Sequence, residues 1–229
     1  MARAKSGKGG DTPQEPHVEA ETTPPIINFY GERIALGPMM RAHVPFLHRW
    51  QNDFTLMIYS GDPLAPRFRE QEDADFERYS KSESRNWVSF AIYELATLRF
   101  IGETELRQID HVRRCAEFGI LIGERDCWGK GYGTEAARLL LDYGFNVLGL
   151  HNIMLDTYSY NERAIRAYTR AGFREFGRRR ECQRLGDHWY DIVYMDCLAS
   201  EFSSPLRPIV AGGETPTVPA AESPMASHR

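Results

Sequence analysis

Apolar positions along this chain recur with two different periods, and each change of period marks an element. Arg33-Ile34-Ala35-Leu36 reads as a short strand, and Val44-Pro45-Phe46-Leu47-His48-Arg49-Trp50 has the spacing of an amphipathic helix with proline in its first turn. Phe68 to Ser82 predicts a second helix, with Phe76 and Tyr79 three apart on one face. Trp87 to Leu95 and Leu98 to Ile109, rich in β-branched and aromatic residues and closely linked, predict a hairpin. Cys115 to Ile122 predicts a third strand, and its apolar end Ile120-Leu121-Ile122 suits burial on both faces. From Gly131 to Leu148 the period becomes helical, with Ala136, Leu139, Leu140 and Tyr143 on one face. A strand over Asn152 to Thr157 follows, then a helix that Asn161 caps and Gly172 stops. Phe173 to Cys182 and Trp189 to Leu198 close the pattern as a hairpin through Leu185-Gly186-Asp187. The order β-α-α-β-β-β-α-β-α-β-β predicts an α/β domain of the α+β type, largely antiparallel in its first half.

The two ends lack such periodicity. Residues 1–25 and 201–229 are rich in Pro, Gly, Ser, Thr, Ala and charge and read as a disordered leader and tail around one domain over 26–200. A domain of that size buries enough surface to need neither disulfide nor metal. The four cysteines form no C-x-x-C pair and have no regularly spaced histidines near them, so they read as reduced thiols of a cytoplasmic protein, with no metal site. No apolar stretch approaches the length of a membrane span, and no membrane association is expected. A net charge of −4 offers nucleic acid no general attraction. Arg178-Arg179-Arg180 is the one dense basic run, and it reads first as a solvated strand or turn and second as an RNA or ribosome contact.

The strongest chemical signal is the passage from Ile120-Leu121-Ile122 through a polar loop into Trp128-Gly129-Lys130-Gly131-Tyr132-Gly133-Thr134, directly before an amphipathic helix. Alternate glycines let a backbone approach a ligand closely, and free amides at the positive end of a helix attract phosphate. A side chain at Gly131 would block that approach. Two rival phosphate loops fail on spacing. Counted from Gly123, a Walker loop would need glycine at Trp128 and Ser or Thr at Gly131; a dinucleotide fingerprint from Gly129 and Gly131 would need glycine at Thr134.

Gly129-Lys130-Gly131-Tyr132-Gly133-Thr134-Glu135-Ala136 resembles the coenzyme A pyrophosphate loop of the GNAT acetyltransferases, usually [QR]-x-x-G-x-[GA], with Trp128 standing where Gln or Arg is usual. The tryptophan form is similar to the branch that contains ribosomal-protein alanine acetyltransferases. Asp142-Tyr143-Gly144-Phe145-Asn146-Val147-Leu148, Asn161-Glu162-Arg163-Ala164-Ile165 and Tyr168-x-x-x-Gly172-Phe173 resemble spermidine N-acetyltransferases. The resemblance runs from about Arg33 to Leu198. It implies a GNAT-like, mostly antiparallel central sheet flanked by about four helices, and acetyl-CoA as co-substrate. It also implies cofactor contacts from Ile120, Leu121 and Ile122 to the pantetheine arm, from Trp128, Gly129, Lys130, Gly131, Tyr132, Gly133 and Thr134 to the pyrophosphate, and from Asn161 and Ala164.

Acetyl transfer from a thioester to an amine needs a neutral amine, a stabilised oxyanion and a proton for the departing thiolate. By the resemblance Tyr168 is the general acid, seven residues beyond Asn161 and so on nearly the same helix face. Glu103, Glu105 and Glu117 are the candidate bases, Glu105 the foremost, each with a solvated-face reading beside it. The resemblance further places oxyanion donors among the amides of Ile120, Leu121 and Ile122. The acidic run Glu70, Glu72, Asp73, Asp75, Glu77 would suit a basic acceptor if it lined the cleft, and is otherwise a solvated face. The expected function is an N-acetyltransferase acting on a small-molecule or peptide amine (polyamine, amino acid or protein N-terminus), with a homo-oligomer as the partner expectation. The alternative is a non-catalytic acyl-CoA-binding or sensor module of the same fold.

Overall fold

The computed structural model describes residues 24–61, 64–82 and 85–203. Apart from 24–25 and 201–203, the expected leader and tail lie outside these residues.

Eight strands form one sheet: β1 (Phe29–Tyr30), β2 (Ile34–Pro38), β3 (Val88–Glu94), β4 (Arg99–Asp110), β5 (Cys115–Ile122), β6 (Asn152–Tyr158), β7 (Arg174–Leu185) and β8 (His188–Leu198). They lie in the order β1-β2-β3-β4-β5-β6-β8-β7. Every neighbouring pair is antiparallel except β5 with β6. The helices are α1 (Val44–Gln51), α2 (Phe54–Met57), α3 (Arg69–Ser80), α4 (Tyr132–Asp142) and α5 (Glu162–Ala171). The predicted mixed, largely antiparallel architecture is present, with β1 and the one-turn α2 as additions. Asp53 starts α2, its Oδ1 accepting from the amides of Thr55 and Leu56. No described helix is long and apolar enough to cross a membrane.

The pleat divides the sheet's side chains between two cores. On one face α4 and α5 cover Ile34, Leu36, Ile101, Leu106, Phe118, Ile153 and Leu155, with Leu140 and Leu141 fully buried against them. On the other, α1 packs Trp50 with Ala91, Tyr93 and Phe100. The helix expected to run to Leu148 is α-helical only to Asp142, after which Tyr143–Val147 forms a wider π turn. There Gly144 lies against β6, and a Cβ on it would come within 2.5 Å of Ile153. Gly172, at φ 120°, ends α5 where predicted.

Helix α3 is polar almost throughout, and four carboxylates of its acidic run, Glu72, Asp73, Asp75 and Glu77, are paired with nearby cations. Arg67 holds Glu72 and Asp75 at 2.8 and 2.6 Å, Arg69 holds Asp73, Arg78 holds Asp75, and Arg41 and Lys81 hold Glu77. None of the five acidic residues borders either cavity described below, which favours the solvated-face reading over the acidic cleft. The basic run on β7 is likewise partly neutralised, Arg178 pairing with Glu175 and Asp191.

His43 is buried in the α1 core, stacked on Phe100 with centroids 4.0 Å apart. Its Nδ1 accepts from the Met40 amide, so Nε2 carries the proton and donates to the Tyr93 hydroxyl, 3.0 Å away. Burial pushes its pKa down to about 4. The unfolded chain, titrating at about 6.5, therefore takes up the proton first, and stability falls as pH drops from about 6.5 to about 4. This one group should cost about 2 kcal/mol between pH 7.5 and pH 5. Urea unfolding checks it: His43→Gln should lose less stability than the native chain over that interval.

Candidate active site

The site forms where β5 leaves β6. Parallel pairing between them is confined to Cys115, Ala116 and Glu117 against Asn152, Ile153 and Met154, while β5 stays paired with β4 up to Ile122 and β6 with β8 up to Tyr158. Beyond Glu117 the two strands part. That edge of β5 has no strand partner among the described residues, which leaves alternate backbone amides facing the gap. Ile120, Leu121 and Ile122 are consequently only partly buried, and they border a cavity of about 480 Å³. This corrects the expectation of a strand end buried on both faces, because an apolar run can line a cleft as well as fill a core.

The same cavity is bordered by Trp128, Gly129, Lys130, Gly131, Tyr132, Gly133, Thr134, Asn161, Ala164 and Tyr168. The structure thus gathers all the predicted cofactor-contact residues around one space. Gly129 and Gly131 have φ of 75° and 85°, a left-handed conformation that favours glycine. Gly133 is different. It lies in the first turn of α4 with ordinary helical φ, and a Cβ there would meet nothing within 4 Å. Neither packing nor conformation asks for glycine at 133, whereas a group drawn close to the free amides of the α4 N-terminus does. Arg33, Lys130, Arg163 and Arg170 also border the cavity and supply positive charge. A glycine cradle, helix amides and these cations suit a pyrophosphate, and the apolar edge of β5 suits the thin arm that carries a thioester.

The loop is held in part by Arg33, Glu94, Glu135 and Arg163, contacts that spacing did not reveal. Arg33 donates through Nη1 to the Lys130 carbonyl at 2.8 Å and through Nε to Glu135 at 3.0 Å, while Glu135 Oε1 accepts from the Arg33 amide. Trp128 donates its indole N–H to the Ile122 carbonyl at 2.8 Å, tying loop to strand, and offers its ring face to the Arg163 guanidinium at 3.7 Å. Tyr132 donates to Glu94 and Thr134 to the Ala167 carbonyl. Asn161 caps α5, its side-chain oxygen accepting from the Ala164 amide. Cys127 borders the cavity too, but it is buried, and burial pushes its thiol pKa up.

A second hollow of about 130 Å³ adjoins the first, and Tyr59, Ser60, Ile120, Leu121 and Tyr168 border both. Its floor is polar: Glu103, Glu105 and Arg107 from β4 and Asp156 from β6. Glu105 accepts from the Trp87 indole at 2.6 Å and lies 3.5 Å from Arg107. Glu117 accepts from Arg107 and from Gln108. Asp156, absent from the sequence-based candidates, has its pKa raised by burial and by the nearby Glu117, against a lowering from Arg107. Tyr168 packs edge-on against Phe118 and Phe173, and its hydroxyl has no protein partner among the described residues. Burial, with a smaller contribution from Asp156, pushes its pKa up to about 12, so the phenol holds its proton throughout the neutral range.

The acetyltransferase (GNAT) domain family matches residues 33–174, more than half of the chain. The chain belongs to the GNAT acetyltransferases. Spermidine N(1)-acetyltransferase of Escherichia coli strain K12 is 34% identical over 140 residues, covering 61% of this chain and 72% of that protein. The crystal structure of spermidine N-acetyltransferase from Vibrio cholerae in complex with CoA and spermine superposes with a TM-score of 0.68 at 26% identity, over 75% of this chain and 98% of that one. A dodecameric structure of the Vibrio cholerae enzyme gives 0.61 at 28% identity, over 74% and 96%. This acetyltransferase uses acetyl-CoA to acetylate an amine. The alternative of a non-catalytic acyl-CoA-binding module finds no support in relatives named as enzymes.

Proposed function

We propose that the acceptor is an elongated polycationic amine of the polyamine kind, bound in the smaller hollow with its reacting nitrogen at the wall shared by the two cavities. One observation carries this reading: Glu103, Glu105 and Asp156 converge on the hollow that meets the larger cavity at Tyr168. Carboxylates at the floor attract an ammonium and repel an anionic acceptor. The relatives named for spermidine and the neighbour holding spermine support the same class.

In this reading the amides and glycines of the 129–134 loop hold the pyrophosphate, with Arg33, Lys130 and Arg163 adding charge. Ile120, Leu121 and Ile122 run beside the pantetheine arm, with the amides facing the gap as oxyanion donors. Tyr168 delivers the proton to sulfur. Glu105, already engaged by Trp87 and Arg107, contributes negative charge for the distal ammonium and not proton removal. A homo-oligomeric assembly is part of the proposal, supported by the dodecameric neighbour.

The test is thiol release from acetyl-CoA with a panel of spermidine, spermine, putrescine, free amino acids, aminoglycosides and short peptides. A polyamine should show the highest kcat/KM, and added salt should raise its KM as screening weakens the carboxylates' pull. Faster turnover of a neutral amino acid or an N-terminal peptide would overturn the assignment.

A further inference from the structure

We infer that Asp156 is the group that takes the proton from the incoming ammonium. The inference rests on the acceptor hollow proposed above and adds a catalytic residue on β6, a strand from which spacing offered none.

Asp156 lies two residues beyond Met154, the last β6 residue paired with β5, and so in the mouth of the gap between the strands. Ile153 and Leu155 point into the α4–α5 core, so alternation turns Asp156 to the opposite face. That face also carries Glu117, the partner of Met154, and borders the hollow with Tyr168. The charged and titratable groups around it are Glu103, Glu105 and Arg107 on β4, Glu117 on β5, Tyr168 on α5, Tyr59 just beyond α2 and Tyr194 opposite it on β8. Among the carboxylates, Glu117 and Glu105 are held by Arg107 and by Gln108 or Trp87, whereas no donor among the described residues engages Asp156. It is exposed to the hollow. A carboxylate without a fixed donor, beside the phenol that faces the thioester, is placed to receive a proton from a nitrogen lying between the two.

The protons balance. Asp156 accepts one from the ammonium, and the neutral nitrogen forms a bond to the acetyl carbon. As the C–S bond breaks, Tyr168 gives its proton to sulfur and recovers one from the nitrogen. Asp156 then releases its proton to solvent. The ammonium has lost two protons, one to water and one, through Tyr168, to the thiol. Nothing is oxidised or reduced.

The test compares native enzyme, Asp156→Asn and Asp156→Glu, using whichever amine of the panel the native enzyme turns over fastest, with kcat and KM followed from pH 6 to pH 10. A primary amine with a pKa of about 10.4 is neutral in less than about one part in a thousand at pH 7. Asp156→Asn should therefore lower kcat/KM at pH 7 by about 100-fold or more. The deficit should narrow toward pH 10 as the free amine becomes abundant, and Asp156→Glu should recover part of the rate. Acetyl-CoA affinity by calorimetry should be unchanged. A loss equal at every pH, a change in KM alone, or native kinetics would each overturn the inference. If Asp156→Asn fails to fold, the Asp156→Glu profile decides it: a native acid limb refutes, a shifted one supports. Failure of the acceptor reading looks different, because then polyamines lose to another amine in the native enzyme itself.

Discussion

Tyr168→Phe should reduce kcat by about 100- to 1,000-fold while leaving acetyl-CoA affinity and thermal stability close to native. The stability half follows from the surroundings of the ring. Phe118 and Phe173 pack against its edges, and the hydroxyl has no protein partner among the described residues, so its removal leaves no buried group unsatisfied. The rate half follows from the position of the phenol on the wall common to both cavities. With a pKa of about 12, it is a weaker acid than an alkyl thiol at about 8.5, and a full transfer to free thiolate would be uphill by about 5 kcal/mol. Transfer coupled to recovery of a proton from the attacking nitrogen avoids that cost. Because the phenol stays protonated, the alkaline limb of the native pH profile below pH 10 should not belong to it. Stopped-flow thiol release and calorimetric titration with acetyl-CoA separate the two halves; a native kcat would remove Tyr168 as the proton donor.

Gly133→Val should weaken acetyl-CoA binding by about 100-fold, the equivalent of one or two charge-assisted hydrogen bonds, without lowering the melting temperature. Glycine is a poor helix residue, and a Cβ at 133 would meet nothing within 4 Å beyond its own helix turn, so the fold should tolerate the change. The pyrophosphate cannot then reach the amides of the α4 N-terminus. Gly131→Val is a less clean experiment than the sequence implied. Gly131 has φ 85°, and its Cβ would meet the Arg33 guanidinium at 3.0 Å, so backbone strain and loss of the Arg33 latch would accompany any loss of binding. Calorimetry beside a melting curve decides the matter for Gly133→Val: normal affinity would displace the cradle from this loop.

Elements whose signals are local were readable from sequence. Strand β5 begins at Cys115 and ends at Ile122 as read, and Asn161 and Gly172 bound α5 through cap and left-handed stop. Two features were too short to carry a period, the two-residue β1 and the four-residue α2, which Asp53 caps. The site divides in the same way. The 128–134 loop was legible because strand, glycines and helix follow one another along the chain. Asp156 was not, since Ile153, Leu155 and Asp156 show ordinary in–out alternation and only pairing with β5 reveals what lies outside. Arg33 is about a hundred residues from the Glu135 it holds, a separation that no local pattern spans. The acidic run on α3 gave half its answer locally: Arg69–Asp73 and Lys81–Glu77 are four apart, but Arg41 arrives from outside the helix.

The wall common to the two hollows has a kinetic meaning. Cys127, the one thiol bordering the larger cavity among the described residues, is buried and kept protonated, so it is no nucleophile to carry acetyl from one substrate to the other. In the proposed reading acetyl passes directly from donor to acceptor, the two held together in a ternary complex. Because Ile120, Leu121, Tyr59 and Tyr168 border both hollows, each substrate placed as proposed would become part of the lining that the other meets.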